Sequence, residues 1–338
     1  MVKPARFSLA LLGGFLLSAL SVPASAAPTY GQQLEGFTYP YPVQRFKFDS
    51  QQQPLEMGFM DVAPTGAANG RTAVLLHGKN FCGATWEASI KALSAAGYRV
   101  VVPDQVGFCT STKPANYQYS FHQLAANTHA LLKQLGVSKA TVIGHSTGGM
   151  LATRYALLYP EQTQQLVLVN PIGLEDWKAL GVPWRSVDQW YERELKVTAE
   201  GIRKYEQNTY YSGQWKPEYD RWVEMLAGLS TGPGKKAVAW NSALIYDMIF
   251  TQPVFYEFPQ LKVPTVLMIG DADTTAIGSD IAPPDLKAKL GRYSVLGKQV
   301  AGMIPGAKLI EFPGQGHAPQ MEDPVGFNQK LVETLNSH

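Results

Sequence analysis

Ala140-Thr141-Val142-Ile143-Gly144-His145-Ser146-Thr147-Gly148 is the stretch whose reading decides the fold. A short apolar run leads into a serine with a glycine two positions to either side, and residues 149–158 have the composition of a helix. A strand that passes at once into a helix turns sharply and thrusts the serine hydroxyl outward. Glycine is expected at both flanks because a Cβ there would strike the neighbouring strand or helix where the turn is tightest. Taken alone, G-x-S-x-G also describes a glycine-rich turn with an ordinary surface serine.

Three other strand ends carry residues able to do chemistry. Thr72-Ala73-Val74-Leu75-Leu76 reads as a buried strand ending in His77-Gly78-Lys79-Asn80-Phe81, the place for an oxyanion loop. Pro264-Thr265-Val266-Leu267-Met268-Ile269 reads as another, followed by Gly270-Asp271-Ala272-Asp273. Ala307-Lys308-Leu309-Ile310-Glu311-Phe312 precedes Gly314-Gln315-Gly316-His317-Ala318-Pro319. Open parallel sheets place their sites at the carboxyl ends of the strands, where loops converge while helices cover both faces.

On these residues the chain resembles the α/β-hydrolase family over nearly everything after residue 40: H-G at 77–78, the serine elbow at 144–148, G-x-x-D at 270–273 and G-H-x-P at 316–319. The order Ser, Asp, His is also that family's order. The resemblance implies a mostly parallel central sheet with helices on both faces and an inserted helical cap. A serine hydroxyl is a poor nucleophile near neutral pH and needs a base within hydrogen-bonding reach. His317 is expected to be that base; His77 and His145 belong to strand-end motifs, and His122, His129 and His338 lack the spacing. A carboxylate must fix the imidazole's tautomer. Asp273 has the family's G-x-x-D spacing, with Asp271 as a neighbour, and a less common family placement would use Glu175 or Asp176.

Charge developing on a carbonyl oxygen needs preorganised donors, and the backbone N–H of Thr147, first in the helix after the serine, is one by geometry. By the resemblance, Lys79 matches the second donor position, where glycine or an apolar residue is commoner; Asn80 is the alternative. Cys82 and Cys109 are the only cysteines. The loops that hold them are neighbours above the sheet in the family, which implies a Cys82–Cys109 disulfide, the alternative being two buried thiols.

The remaining periodicity is readable in outline. Residues 45–48 and 55–62 look like opening antiparallel strands joined by a turn over 49–54. Residues 84–96 and 121–135 fit helices, the second ended by Gly136, and 327–335 fits a closing helix. Between residues 172 and 258 the strand-helix rhythm stops, and six of the seven tryptophans lie there. This stretch reads as a helical cap whose aromatics make a largely apolar pocket roof, though some of them simply pack the cap onto the core. The core is then 27–171 and 259–338, with a second irregular stretch at 277–296.

Lys3 and Arg6 precede an apolar stretch over residues 9–20, and Ala24-Ser25-Ala26 offers the small residues of a cleavage site. Residues 1–26 therefore read as a signal peptide, with a mature chain near Ala27, secreted or periplasmic; an uncleaved anchor is the alternative. Removing them takes 29 basic residues to 27, against 27 acidic, so the mature chain is formally neutral. Without a Lys/Arg cluster, neither nucleic acid nor an anionic membrane is the expected partner. A small molecule is, and no span is expected in the mature chain.

These features together point to a serine hydrolase that cleaves a small carboxylic ester with an apolar or aromatic acyl group through an acyl-enzyme. Amide, lactone or carbon-carbon cleavage on the same triad is the alternative, and a non-catalytic binder on this scaffold is a further one. No metal or organic cofactor is implied by the motifs.

Overall fold

The computed structural model describes residues 1–2 and 28–336, so the expected signal segment, apart from its first two residues, lies outside the described residues. Eight strands form one sheet: β1 (Gln44–Ser50), β2 (Gln53–Val62), β3 (Thr72–Leu76), β4 (Arg99–Pro103), β5 (Ala140–His145), β6 (Thr163–Val169), β7 (Thr265–Gly270) and β8 (Lys308–Phe312). Their order is β1-β2-β4-β3-β5-β6-β7-β8. β1 pairs antiparallel with β2 and β2 with β4, and every later pairing is parallel.

The inner strands are almost wholly apolar because both faces are covered. Successive side chains point to opposite faces, so Val74 and Leu76 of β3, Leu166 and Leu168 of β6, and Leu267 and Ile269 of β7 join one core. Ala73, Leu75, Val167, Val169, Val266 and Met268 join the other. The first core is closed by α2 (Phe121–Gln134), α3 (Thr147–Leu158) and α10 (Tyr293–Met303), through Leu124, Leu131, Leu151, Leu296 and Val300. The second is closed by α1 (Glu87–Ala95) and α12 (Pro324–Asn336), through Ile90, Leu93, Phe327 and Leu331. Each fully buried side chain of this size contributes about 1.5–3 kcal/mol.

The first hairpin departs from the sequence reading. The strands continue to Ser50 and Gln53, which pair directly, so the turn is two residues rather than the six of 49–54. Gln51 and Gln52 both have positive φ, 51° and 61°, the signature of a turn whose twist matches its strands. Gln51 exchanges hydrogen bonds with the backbone of Gln118, which holds the turn without the glycine or asparagine usually found there.

Between β6 and β7 the chain makes an excursion of five α-helices: α4 (Trp177–Leu180), α5 (Val187–Glu194), α6 (Ala199–Thr209), α7 (Asp220–Thr231) and α8 (Lys235–Thr251). Ser186 and Gln189 form a capping box at the start of α5, and Thr198 caps α6. α9 (Pro284–Lys287) and α11 (Pro319–Glu322) are single turns in the later loops. No helix among the described residues is long and apolar enough to cross a membrane.

Candidate active site

Ser146 stands between β5 and α3 with φ 56° and ψ −121°, a conformation an L-residue adopts at a cost of about 1–3 kcal/mol. Its surroundings hold it there. The Ser146 N–H donates to Val169 O at 3.1 Å, and Ser146 O accepts from Gly149 and Ile172. A Cβ at Gly148 would lie 2.2 Å from Leu76 O, and one at Gly144 would lie 2.1 Å from Gly148 O. Both flanking positions therefore need glycine, and the turn presents the hydroxyl above the carboxyl ends of β3 and β6.

Three loops converge on that hydroxyl. Ser146 Oγ lies 2.8 Å from His317 Nε2, and His317 Nδ1 lies 2.6 Å from Asp273 Oδ2. A carboxylate only accepts, so the proton sits on Nδ1 and Nε2 is free to accept from the serine. Asp273 Oδ1 takes hydrogen bonds from the Thr275 N–H and hydroxyl, at 2.8 and 2.6 Å. Its Oδ2 takes a further one from Asn170 Nδ2 at 2.9 Å. Asn170, at the end of β6, also bridges to the backbone of Gly270 in both directions, so it fastens the acid's loop to the neighbouring strand. Asn170 escaped the sequence reading, although it occupies the same place just past a strand end as the residues that were singled out. Asp271 turns away and accepts from the Gly314 N–H. Glu175 accepts from Gly291 N–H and Trp177, and Asp176 caps α4 and accepts from Tyr256, so neither carboxylate is bonded to His317.

The loop after β3 faces this group. The His77 Nδ1–H donates to Gly78 O at 2.9 Å, and Nε2 accepts from the Gln105 N–H at 3.1 Å, so the neutral ring shapes the loop. Burial holds His77 below its ordinary pKa. The backbone N–H groups of Lys79 and Thr147 have no acceptor among the described residues. The Asn80 amide donates instead to the Tyr210 hydroxyl at 2.9 Å. His145 lies alongside, its Nε2 2.7 Å from His317 O, and burial first, then the neighbouring His317, push its pKa well down. A neutral His145 donating to that carbonyl fixes the loop that carries His317.

Cys82 and Cys109 are joined by a disulfide, with Cα atoms 5.8 Å apart. Asp104 reinforces the link by accepting from the Gly83 N–H and from the Thr110 hydroxyl, at 2.7 and 2.5 Å.

Comparison with known proteins agrees with this architecture. The family model described as alpha/beta hydrolase fold matches residues 74–324. The chain belongs to that family. A solved structure titled a "probable hydrolytic enzyme" from Pseudomonas aeruginosa PAO1 is 65% identical, with a TM-score of 0.91, over 91% of this chain and 99% of that one. A 2-hydroxy-6-oxo-6-phenylhexa-2,4-dienoate hydrolase from Burkholderia cepacia is 34% identical over 80% of this chain and 89% of its own length. Lipase 1 of Psychrobacter immobilis is 27% identical over 82% and 81%. This chain is accordingly a hydrolase of the superfamily.

In this α/β hydrolase the cap helices take part in holding the site. The His317 N–H donates to Thr209 O at 3.0 Å and the Ala318 N–H to Tyr210 O at 3.3 Å, so the end of α6 carries the histidine loop. The Tyr210 ring packs 5.0 Å from His317 and 5.2 Å from Phe81. A cavity of about 860 Å³ opens between the cap and the loop after β3, lined by Lys79, Asn80 and Phe81. Ser146 and His317 are buried beside it rather than in its lining. The apolar roof expected from the tryptophans is not what lines it. Of the six, Trp190 alone does so; Trp177 and Trp222 are buried in packing, Trp184 is exposed, and Trp215 and Trp240 bond elsewhere. The described lining residues include six basic and four acidic ones. Lys79 is among them: its Nζ bonds Ser242 Oγ at 2.7 Å, lies 3.5 Å from Glu194 and sits 3.6 Å above the Tyr246 ring. Burial pushes its pKa down to about 8, against the pull of Glu194.

Proposed function

We propose that the protein is a serine hydrolase that cleaves a carboxylic ester through an acyl-enzyme, with Ser146 as nucleophile, His317 as base and Asp273 as the acid that orients it. The observation carrying this reading is the unbroken relay from Ser146 Oγ to His317 and on to Asp273, at 2.8 and 2.6 Å. His317 Nε2 takes the serine proton as Oγ attacks the ester carbonyl, and Asp273 stabilises the imidazolium that forms. The free N–H groups of Lys79 and Thr147 receive the oxyanion; a donor of this kind is worth about 10²–10³ in rate. Collapse expels the alcohol, which takes its proton from His317. Water, activated by the same histidine, then releases the acid.

Residues 172–258 serve as the cap over this centre and 1–26 as a cleaved signal, so the enzyme works outside the cytoplasm, a setting in which the Cys82–Cys109 disulfide persists. A panel of p-nitrophenyl esters set against amino-acid anilides tests the reaction class. Ester turnover is expected; anilide turnover without it would replace the ester reading by an amidase. A second reading draws on the Burkholderia cepacia relative, whose substrate is a dienoate cleaved by a hydrolase, and the same panel extended to such a dienoate separates the two.

A further inference from the structure

The charges gathered around Tyr246 do not balance. Three cations stand there: Lys79 3.6 Å above the Tyr246 ring, Arg193 with its guanidinium carbon 6.0 Å from that ring, and Arg185 4.8 Å from the Trp190 ring stacked on it. Two carboxylates accompany them. Glu194 is 3.5 Å from Lys79 Nζ, and Asp280 is held by both nitrogens of Arg185 at 3.0 and 2.7 Å. Arg193 is left over. Its nearest carboxylate contact is 3.9 Å to the same Asp280 oxygen that Arg185 already binds, and its guanidinium donates no hydrogen bond to any described residue. A guanidinium carries five donors in a rigid fork suited to a carboxylate. Packing of the Arg193 guanidinium 5.3 Å from the buried Trp190 ring limits how far the fork moves.

Lys79, Arg185, Arg193, Glu194, Tyr246 and Asp280 line the same cavity that reaches Asn80 and Phe81 beside the site. We infer that Arg193, with Lys79 behind it, forms an anion subsite, and that the substrate is an ester bearing a carboxylate on its acyl or alcohol part. Within this group of five the excess is one positive charge, to which a single carboxylate is complementary. The Arg193 side chain is 45% exposed whereas that of Lys79 behind it is 9% exposed, so the pairing is open to salt at its outer end. The ester carbonyl then sits at Ser146 while the distal carboxylate reaches across the cavity to Arg193. The substrate assignment rests on the ester-hydrolase reading above; the anion subsite does not.

Two measurements on the full chain test this. The first compares kcat/KM for mono-p-nitrophenyl adipate and p-nitrophenyl hexanoate, which differ in the distal carboxylate. The wild type is expected to favour the adipate ester by about ten-fold, the effect of one charge-assisted hydrogen bond, and added salt to erode that preference. Arg193→Gln should bring the ratio close to one and Arg193→Lys should keep part of it. Equal kcat/KM on the two esters in the wild type, or an equal loss on both in Arg193→Gln, overturns the inference. The second follows binding of adipate and hexanoate to the Ser146→Ala protein by tryptophan fluorescence. Adipate binding that weakens in the Arg193→Gln double variant supports the subsite even if neither ester is turned over, a result that would sink the hydrolase reading alone. Indifference to the distal carboxylate in this assay overturns the subsite itself.

Discussion

Replacing Glu206 by glutamine should remove a pH dependence of stability that is built into the cap. Glu206 lies on α6, one turn before the Thr209 and Tyr210 carbonyls that hold the histidine loop. It is 1% exposed, neither carboxyl oxygen has a hydrogen-bond partner among the described residues, and burial pushes its pKa from 4.5 up to about 8. The folded protein therefore keeps this proton up to about pH 8, whereas the unfolded chain releases it from about pH 4.5. The unfolded state binds fewer protons throughout that window, so stability falls as pH rises through it. At about 1.4 kcal/mol per pH unit, the loss between about pH 5 and pH 8 is on the order of 4 kcal/mol. Glutamine keeps the shape and cannot ionise. Urea unfolding followed by tryptophan fluorescence should find Glu206→Gln close to wild type near pH 5 and more stable by several kcal/mol near pH 8. Taking the difference between the two proteins cancels the titration of the buried His77 and His145, which acts on both alike. A difference that stays flat across the window would refute the argument.

Two further substitutions probe the site and its support. Asp273→Asn should lower kcat by about 10⁴-fold, because the amide no longer enforces the Nδ1-protonated tautomer, while Asp271→Asn, bonded only to Gly314 N–H, should stay near wild type on the same ester. Cys82→Ser opens a link between residues 27 apart in sequence, and chemical denaturation should show a loss of about 3–4 kcal/mol that reducing agent reproduces in the wild type.

How far the sequence could be read depended on whether a residue's role was local. Ser146, Asp273 and His317 each follow an apolar strand within a short glycine-bearing motif, so their placement at one sheet edge followed from strand order alone. Lys79 was located by the same rule, but its side chain's destination, Ser242 and Glu194, depends on how helices more than 100 residues further along the chain pack. The role of Asn170 was missed because an asparagine at the end of the 165–170 strand carries no local signal of its bond to Asp273, 103 residues further on. The turn at 49–54 was placed but drawn too long, because neither Gln51 nor Gln52 carries the usual preference for positive φ, and the bonds with Gln118 that stabilise the tight form come from a distant loop. The cap's tryptophans announced an aromatic layer without saying which rings face the cavity. One of them does, and the charges that surround it leave no periodic signal.

The proposed mechanism requires Ser146 to be a nucleophile activated by His317. The most direct measurement is the intact mass of the protein after exposure to a fluorophosphonate, with the modified peptide sequenced. One adduct is expected, on Ser146, absent from Ser146→Ala and strongly slowed in His317→Ala. A wild-type protein that gains no adduct, or one labelled at another residue with Ser146 untouched, would contradict it.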